Sequence, residues 1–144
     1  MDNINTDWVK RLYDCDDDSR PSMISDYGPL LNALRGQIII KIDDHDYQGD
    51  SYLLYNGYDG NNHYGILIFG WGSCSGCDAL LSCDTWEEVE TLRKHLEASV
   101  KWGTKAETLA YLKDHDWQGD ALGRSAECEA FRAAAIAYLE ALQR

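Results

Sequence analysis

The sequence predicts an α+β domain in which a three-stranded antiparallel β-meander packs against C-terminal helices and is preceded by short N-terminal helices. Three observations carry this prediction. Strand-like alternation is confined to the middle of the chain, between about residues 36 and 72. Helical spacing, opened twice by a Thr-x-x-Glu capping box, governs the chain after residue 84. Strands grouped before helices, rather than interleaved with them, argue for layers and against a parallel βαβ design. With 144 residues, 44% of them apolar or aromatic, residues 1–144 are expected to form a single domain around one core.

The elements follow in order. In the acidic helical N-terminal segment, 1–35, Thr6 is placed to cap a short helix whose apolar side is Trp8, Val9, Leu12 and Tyr13, and which stops at Asp16, Asp17 and Asp18. After a loop with Pro21, Tyr27, Leu30, Leu31 and Leu34 have helical spacing, and Gly36 reads as a stop. The meander, 36–72, begins with Ile38, Ile40 and Ile42 alternating as on a strand. Residues 50–55 and 63–71 supply the other two strands, joined through NGYDGNN, whose Gly57 and Asp59-Gly60 carry turn chemistry.

A cysteine turn, 73–84, leads to helices over 85–144. Thr85 with Glu88 opens the first, which presents Val89, Leu92 and Leu96 on one face and runs to about Val100. Thr104 with Glu107 opens a shorter one bearing Leu109 and Leu112. The last carries the clearest stripe, Cys128, Phe131, Ala135, Tyr138 and Leu142, and is expected to pack on the sheet, with helices covering one sheet face.

The chain is strongly acidic, with 13 lysines and arginines against 25 aspartates and glutamates, a formal charge of −12. Residues 121–144 are balanced, three acids against three bases, so the excess lies before them. Such a field repels nucleic-acid phosphates and anionic lipid, and it attracts basic proteins or metal cations over about 8 Å at physiological salt. It argues against direct nucleic-acid binding. No apolar run is long enough to span a bilayer, and the opening MDNINTDWVK has no basic-then-apolar signal, so a cytoplasmic protein without membrane attachment is expected. Five unevenly placed cysteines are too few for a disulfide framework, which suits a reducing compartment.

The densest motif, YGILIFGWGSCSGCDALLSC, sets Cys74 and Cys77 just after a strand, with Cys83 six residues on. Three chemistries remain open. Zinc would use the Cys-x-x-Cys pair as a knuckle, with Cys83 and a histidine such as His63 or His95 completing four ligands, although a second knuckle is missing. Thiol redox chemistry uses the same spacing at a helix N-terminus, but here the βαβ context and the preceding aromatic are absent, and Asp78 would raise a neighbouring thiol pKa. Otherwise the thiols are buried hydrophobes in a close-packed turn.

Asp44-His45-Asp46-Tyr47-Gln48-Gly49-Asp50 recurs as Asp114-His115-Asp116-Trp117-Gln118-Gly119-Asp120. The spacing resembles a calcium loop, yet its twelfth position is Tyr55 in one copy and Ser125 in the other, neither a bidentate acid. Acidic turn chemistry with glycine bends is the favoured reading. Neither a phosphate-binding glycine loop nor a nucleophile elbow is present, so no catalytic residues are assigned.

The combination DYQGDSYLL, YGILIFGWGSCSGCDAL, DTWEEVETLR, the tryptophan of SVKWGTKAETLAYL and HDWQGD, spanning about Asp46 to Asp120, resembles a family of small uncharacterised proteins from bacteria and their phages. The resemblance implies a bacterial-cell or host-cytoplasm setting and no particular activity. The residues themselves point to a binding protein that occupies the basic surface of a protein partner. That partner is expected to be a nuclease, a defence complex or a toxin, and the carboxylates can imitate nucleic-acid phosphates. The candidate carboxylates are Asp16, Asp17, Asp18, Asp43, Asp44, Asp46 and Asp50, with Glu87, Glu88 and Glu90. Tyr47, Tyr55 and Tyr58 are candidate aromatic anchors. The alternative is a zinc-binding or thiol-redox domain built on Cys74, Cys77, Cys83 and His63.

Overall fold

The computed structural model describes residues 6–13, 21, 26–44, 49–57, 63–72, 78–115 and 126–142. Among them the chain runs α1 (Asp7–Leu12), α2 (Gly28–Asn32), β1 (Gly36–Asp43), β2 (Gly49–Gly57), β3 (His63–Trp71), α3 (Trp86–Ser99), β4 (Lys101–Thr104), α4 (Lys105–Asp114) and α5 (Ala126–Ala141). The class is α+β, as the pattern predicts, but the antiparallel sheet has four strands in the order β1-β2-β3-β4 rather than three. The fourth, KWGT, lies in the short gap between α3 and α4, and its last residue, Thr104, is the cap of α4. It pairs back to β3 with Ile66 opposite Lys101 and His63 opposite Thr104. Four residues are too few to display an alternation, and the pairing that makes them a strand is distant in sequence.

A second correction concerns the helices, which cover both faces of the sheet. The cause is β2, where Ser51, Tyr52, Leu53, Leu54 and Tyr55 are buried without a break. Side chains alternate across a strand, so an unbroken apolar run needs cover on both sides. Leu53, Tyr55 and Leu67 join Val9, Leu30, Leu31, Trp86, Val89 and Leu96 in one core, under α1, α2 and α3. Tyr52, Leu54, Tyr64 and Ile66 join Leu112, Phe131, Ala135 and Leu139 in the other, under α4 and α5. Each leucine fully buried in this way contributes about 2 kcal/mol of hydrophobic stabilisation.

Strand β1 does not alternate as its isoleucines suggest. Ile38 stands opposite Tyr55 and Ile40 opposite Leu54, with a register shift between them. That bulge sends Ile38 to the first core and Ile40 and Ile42 to the second. Across the sheet, β4 brings Trp102 beside Gly65, where an added Cβ would stand 2.7 Å from the indole and 2.6 Å from Val100 Cγ1. The glycine leaves the room that the indole fills.

The local signals in the helical region were sound. Thr85 accepts from the Glu88 N–H and Thr104 from the Glu107 N–H, and each glutamate reaches back to its cap residue, closing both boxes. Hydrogen bonds from the Thr104 backbone and hydroxyl hold the Glu107 carboxyl below its usual pKa. Thr6 stands at the N-cap of α1 but makes no side-chain cap bond. On α5 the buried positions are Cys128, Phe131, Ala135 and Leu139, while Tyr138 and Leu142 flank them half-buried.

Candidate functional site

At one end of the sheet, where β1 and β3 finish and β2 begins, Asp43 faces Ser51 and Gly49 faces Trp71. A cleft of about 370 Å³ opens beside these residues. Its acids are Asp26, Asp43, Asp44 and Asp78, and Lys41 is the cation among its lining residues. Tyr27, Phe69 and Trp71 give it aromatic walls, with the Tyr27 and Phe69 rings 4.8 Å apart and tilted.

These acids do different work. Asp78 is 4% exposed. Its Oδ1 accepts from the Tyr27 hydroxyl at 2.8 Å and from the N–H groups of Leu80 and Leu81 at 2.9 and 3.1 Å, and its Oδ2 accepts from Gly72 N–H at 2.9 Å. One carboxylate therefore ties together the two described ends of the cysteine turn and the start of α2. Burial, together with the Asp78 charge and hydrogen bond, pushes the Tyr27 phenol well above its ordinary pKa, so the bond keeps its proton.

Asp43 ends a polar chain. Trp71 Nε1–H donates to Ser51 Oγ at 2.9 Å, the Ser51 hydroxyl donates to Asp43 Oδ1, and Lys41 Nζ reaches Asp43 Oδ2 at 3.0 Å. The Asp43 side chain stays 45% exposed, so it remains open to solvent and to a partner. Asp44 closes the first copy of the repeated heptapeptide. Its N–H donates to Asp50 C=O at 2.9 Å, and its Oδ2 accepts from Asp50 N–H at 2.9 Å and from the Tyr52 hydroxyl at 3.2 Å. Gly49 is required there, because its Cβ would stand 2.7 Å from that of Asp44. This is acidic turn chemistry at both described ends of the loop. Asp26 is exposed, with its Oδ1 accepting from Gly28 N–H at 2.9 Å.

Of the carboxylates singled out from sequence, Asp43, Asp44 and Asp50 thus gather at one sheet end. Asp16, Asp17, Asp18, Asp46 and Tyr47 lie outside the described residues, as does Tyr58. Glu87 and Glu88 are exposed in the first turn of α3, and Glu88 Oε1 accepts from the Asp84 and Thr85 N–H groups at 2.8 and 3.0 Å. Glu90 is not a surface group. It is 3% exposed and doubly bonded to Arg93, at 2.7 and 3.2 Å, while that guanidinium lies 4.9 Å over the Trp8 ring. Tyr55 is wholly buried and donates to the Leu31 carbonyl at 2.8 Å, so it anchors the first core and no partner. Sequence reasoning missed Asp26, Tyr27, Phe69 and Trp71, which no local spacing connects. Glu90 carried a usable signal, since Trp86, Glu90, Arg93 and Glu97 recur at i, i+4, i+7 and i+11.

Cys74 and Cys77 lie outside the described residues. Cys83 is buried, its thiol donates to the Ala79 carbonyl at 3.3 Å, and burial first, then Glu88, Asp84 and Asp78, pushes its pKa up to about 11. His63 begins β3 and the cysteine turn follows its end, about 26 Å away along an extended strand. A metal held at the turn would therefore need other ligands than His63. No group of three or more metal-ligating side chains occurs among the described residues. Nor is any helix among them long and apolar enough to cross a membrane.

Compared with family models, with curated proteins and with solved structures, the chain matches none of them. The function is therefore argued from the geometry alone. A concave site with carboxylates beside aromatic walls suits a cationic group, above all a planar guanidinium, which can stack on a ring and donate a two-point hydrogen bond to a carboxylate.

Proposed function

We propose that this chain is an acidic binding protein that occupies the basic surface of a protein partner, with the aromatic-walled cleft at the Asp43 end of the sheet as the centre of contact. The observation that supports it is the convergence there of Asp26, Asp43 and Asp44 with Tyr27, Phe69 and Trp71, in a chain of net charge −12. Carboxylates around the cleft steer a lysine-rich or arginine-rich surface into place, and the aromatic walls give a basic side chain a desolvated seat. In narrower form, the partner is a nuclease, a defence complex or a basic toxin, and the chain is a phage-type inhibitor, by nucleic-acid mimicry, or an immunity protein.

The test is binding of the full chain to a panel of basic nucleases and toxins at low and high salt, beside Asp26→Asn with Asp43→Asn. The amides keep the side-chain shape and one acceptor oxygen each, enough for the Gly28 N–H at position 26 and the Ser51 hydroxyl at position 43, and they remove two charges. The expected result is a salt-sensitive complex that the double variant weakens by about tenfold or more, mainly through slower association. Affinity that ignores both salt and these substitutions would show the reading to be wrong.

A further inference from the structure

The opposite end of the sheet carries a cleft of the opposite sign. It measures about 590 Å³ and lies where the bend before β1, the second half of α3 and the start of β4 meet. Along β1 this is about 23 Å from Asp43. Arg35, Arg93 and Lys94 bring three cations to a lining whose carboxylate is Glu97. Arg93 is committed to Glu90, to Glu97 at 3.9 Å and to the Trp8 ring. The exposed side chains of Arg35 and Lys94 have no ion-pair partner among the described residues, in a chain where 25 acids face 13 bases. Where acids are in such excess, two cations with no ion pair among the described residues, beside one hollow, run against the charge balance of the molecule.

Trp102 lines this cleft, and its indole is fixed by close neighbours. Gly65 and Gly36 both lie against it, since a Cβ on Gly36 would approach the indole to 3.1 Å, and the His63 ring stands 5.4 Å away. A wall fixed in advance loses little freedom when a ring stacks on it. Glu97 Oε1 accepts from the Arg35 N–H at 3.0 Å and lies 3.9 Å from the Arg93 guanidinium, so this carboxylate fixes the backbone beside the cleft, with its Oε2 buried from solvent.

We propose that this cleft binds a nucleoside monophosphate, with the phosphate held by Arg35 and Lys94 and the base against Trp102. The volume falls in the range of small-molecule sites, about 300–1,000 Å³. The surrounding charge selects a compact anion. One phosphate sits within about 8 Å of its cations, the screening distance at physiological salt, while the further charges of a polyanion would meet the acidic surface. The aromatic wall selects a ligand with a flat ring over a sugar phosphate. The site is independent of the acidic cleft and stands or falls separately from it.

The experiment is calorimetric titration of the full chain, at low ionic strength, with GMP, guanosine, inorganic phosphate and a hexaglutamate peptide. GMP is expected to bind at least about tenfold more tightly than guanosine or phosphate alone. Arg35→Ala with Lys94→Ala is expected to lose that binding by at least about tenfold without lowering the unfolding temperature, because neither side chain has an ion pair to lose among the described residues. Trp102→Phe should weaken GMP and leave phosphate unchanged. Absence of GMP binding up to about 10 mM, equal affinity for GMP and phosphate, tighter binding of hexaglutamate, or indifference to the double substitution would each overturn the proposal.

Discussion

At the scale of single residues, Asp78 is heavily used. Its carboxylate takes hydrogen bonds from one phenol and three backbone N–H groups. Asparagine has the same shape but half the acceptors, and it turns an amide toward donors. Asp78→Asn is therefore expected to destabilise the fold by about 2–3 kcal/mol, read as a lower urea midpoint with an unchanged slope. Cys83 makes a prediction in pH. Its folded thiol keeps a proton up to about pH 11, whereas an unfolded one near 9.0 has begun to release it. Stability is whole below pH 9 and falls as pH rises toward 11, since unfolding then releases a proton. Cys83→Ser should flatten the pH 9–10 part of that profile, before unfolded tyrosines titrate, in thermal melts. The role of Asp78 was not legible from sequence, whereas a buried thiol beside Asp78 was one of the readings of the cysteine turn. A carboxylate's partners depend on which backbone segments meet it, and Asp78, Tyr27 and Gly72 meet only once the sheet has formed. The burial of Glu90 was partly legible, because its helical spacing with Trp86 and Arg93 lies within one element.

At the scale of elements, legibility follows the distance over which a signal acts. The boxes at Thr85 and Thr104 involve residues three apart, and both close as the sequence indicates. Thr85→Ala or Thr104→Ala is expected to cost about 1 kcal/mol each, measurable by chemical denaturation. The bulge in β1 and the existence of β4 depend on partners elsewhere in the chain, and neither was visible in the local pattern. The GQIIIKID run offers four apolar positions to two cores, and only pairing with β2 decides which isoleucine faces which. Gly65 is where β3, β4 and the Trp102 ring depend on one another. Gly65→Ala would press a methyl against Val100 and Trp102 and is expected to destabilise by about 1–3 kcal/mol, with the Trp102 indole resonance shifted in NMR spectra.

At the scale of the molecule, the class was legible because it rests on composition and on the order of strand-like and helix-like stretches. The helices' placement on both faces was written in YLLY, residues 52–55, whose unbroken apolar character admits no solvent-facing side. The charge was legible as a total but not as a distribution. Folding sorts it, with Asp26, Asp43 and Asp44 around a cleft at one sheet end and Arg35 and Lys94 beside a cleft at the other. The strand at the centre also governs how a growing polypeptide can mature. Leaving the ribosome from its N-terminus, the chain can cover one side of the sheet once α3 has emerged. Tyr52, Leu54 and Ile66 on the other side must wait for Phe131, Ala135 and Leu139. A nascent chain stalled before α5 would thus display a wet apolar sheet face, a surface that chaperones bind and that aggregates form upon, until its last helix is made.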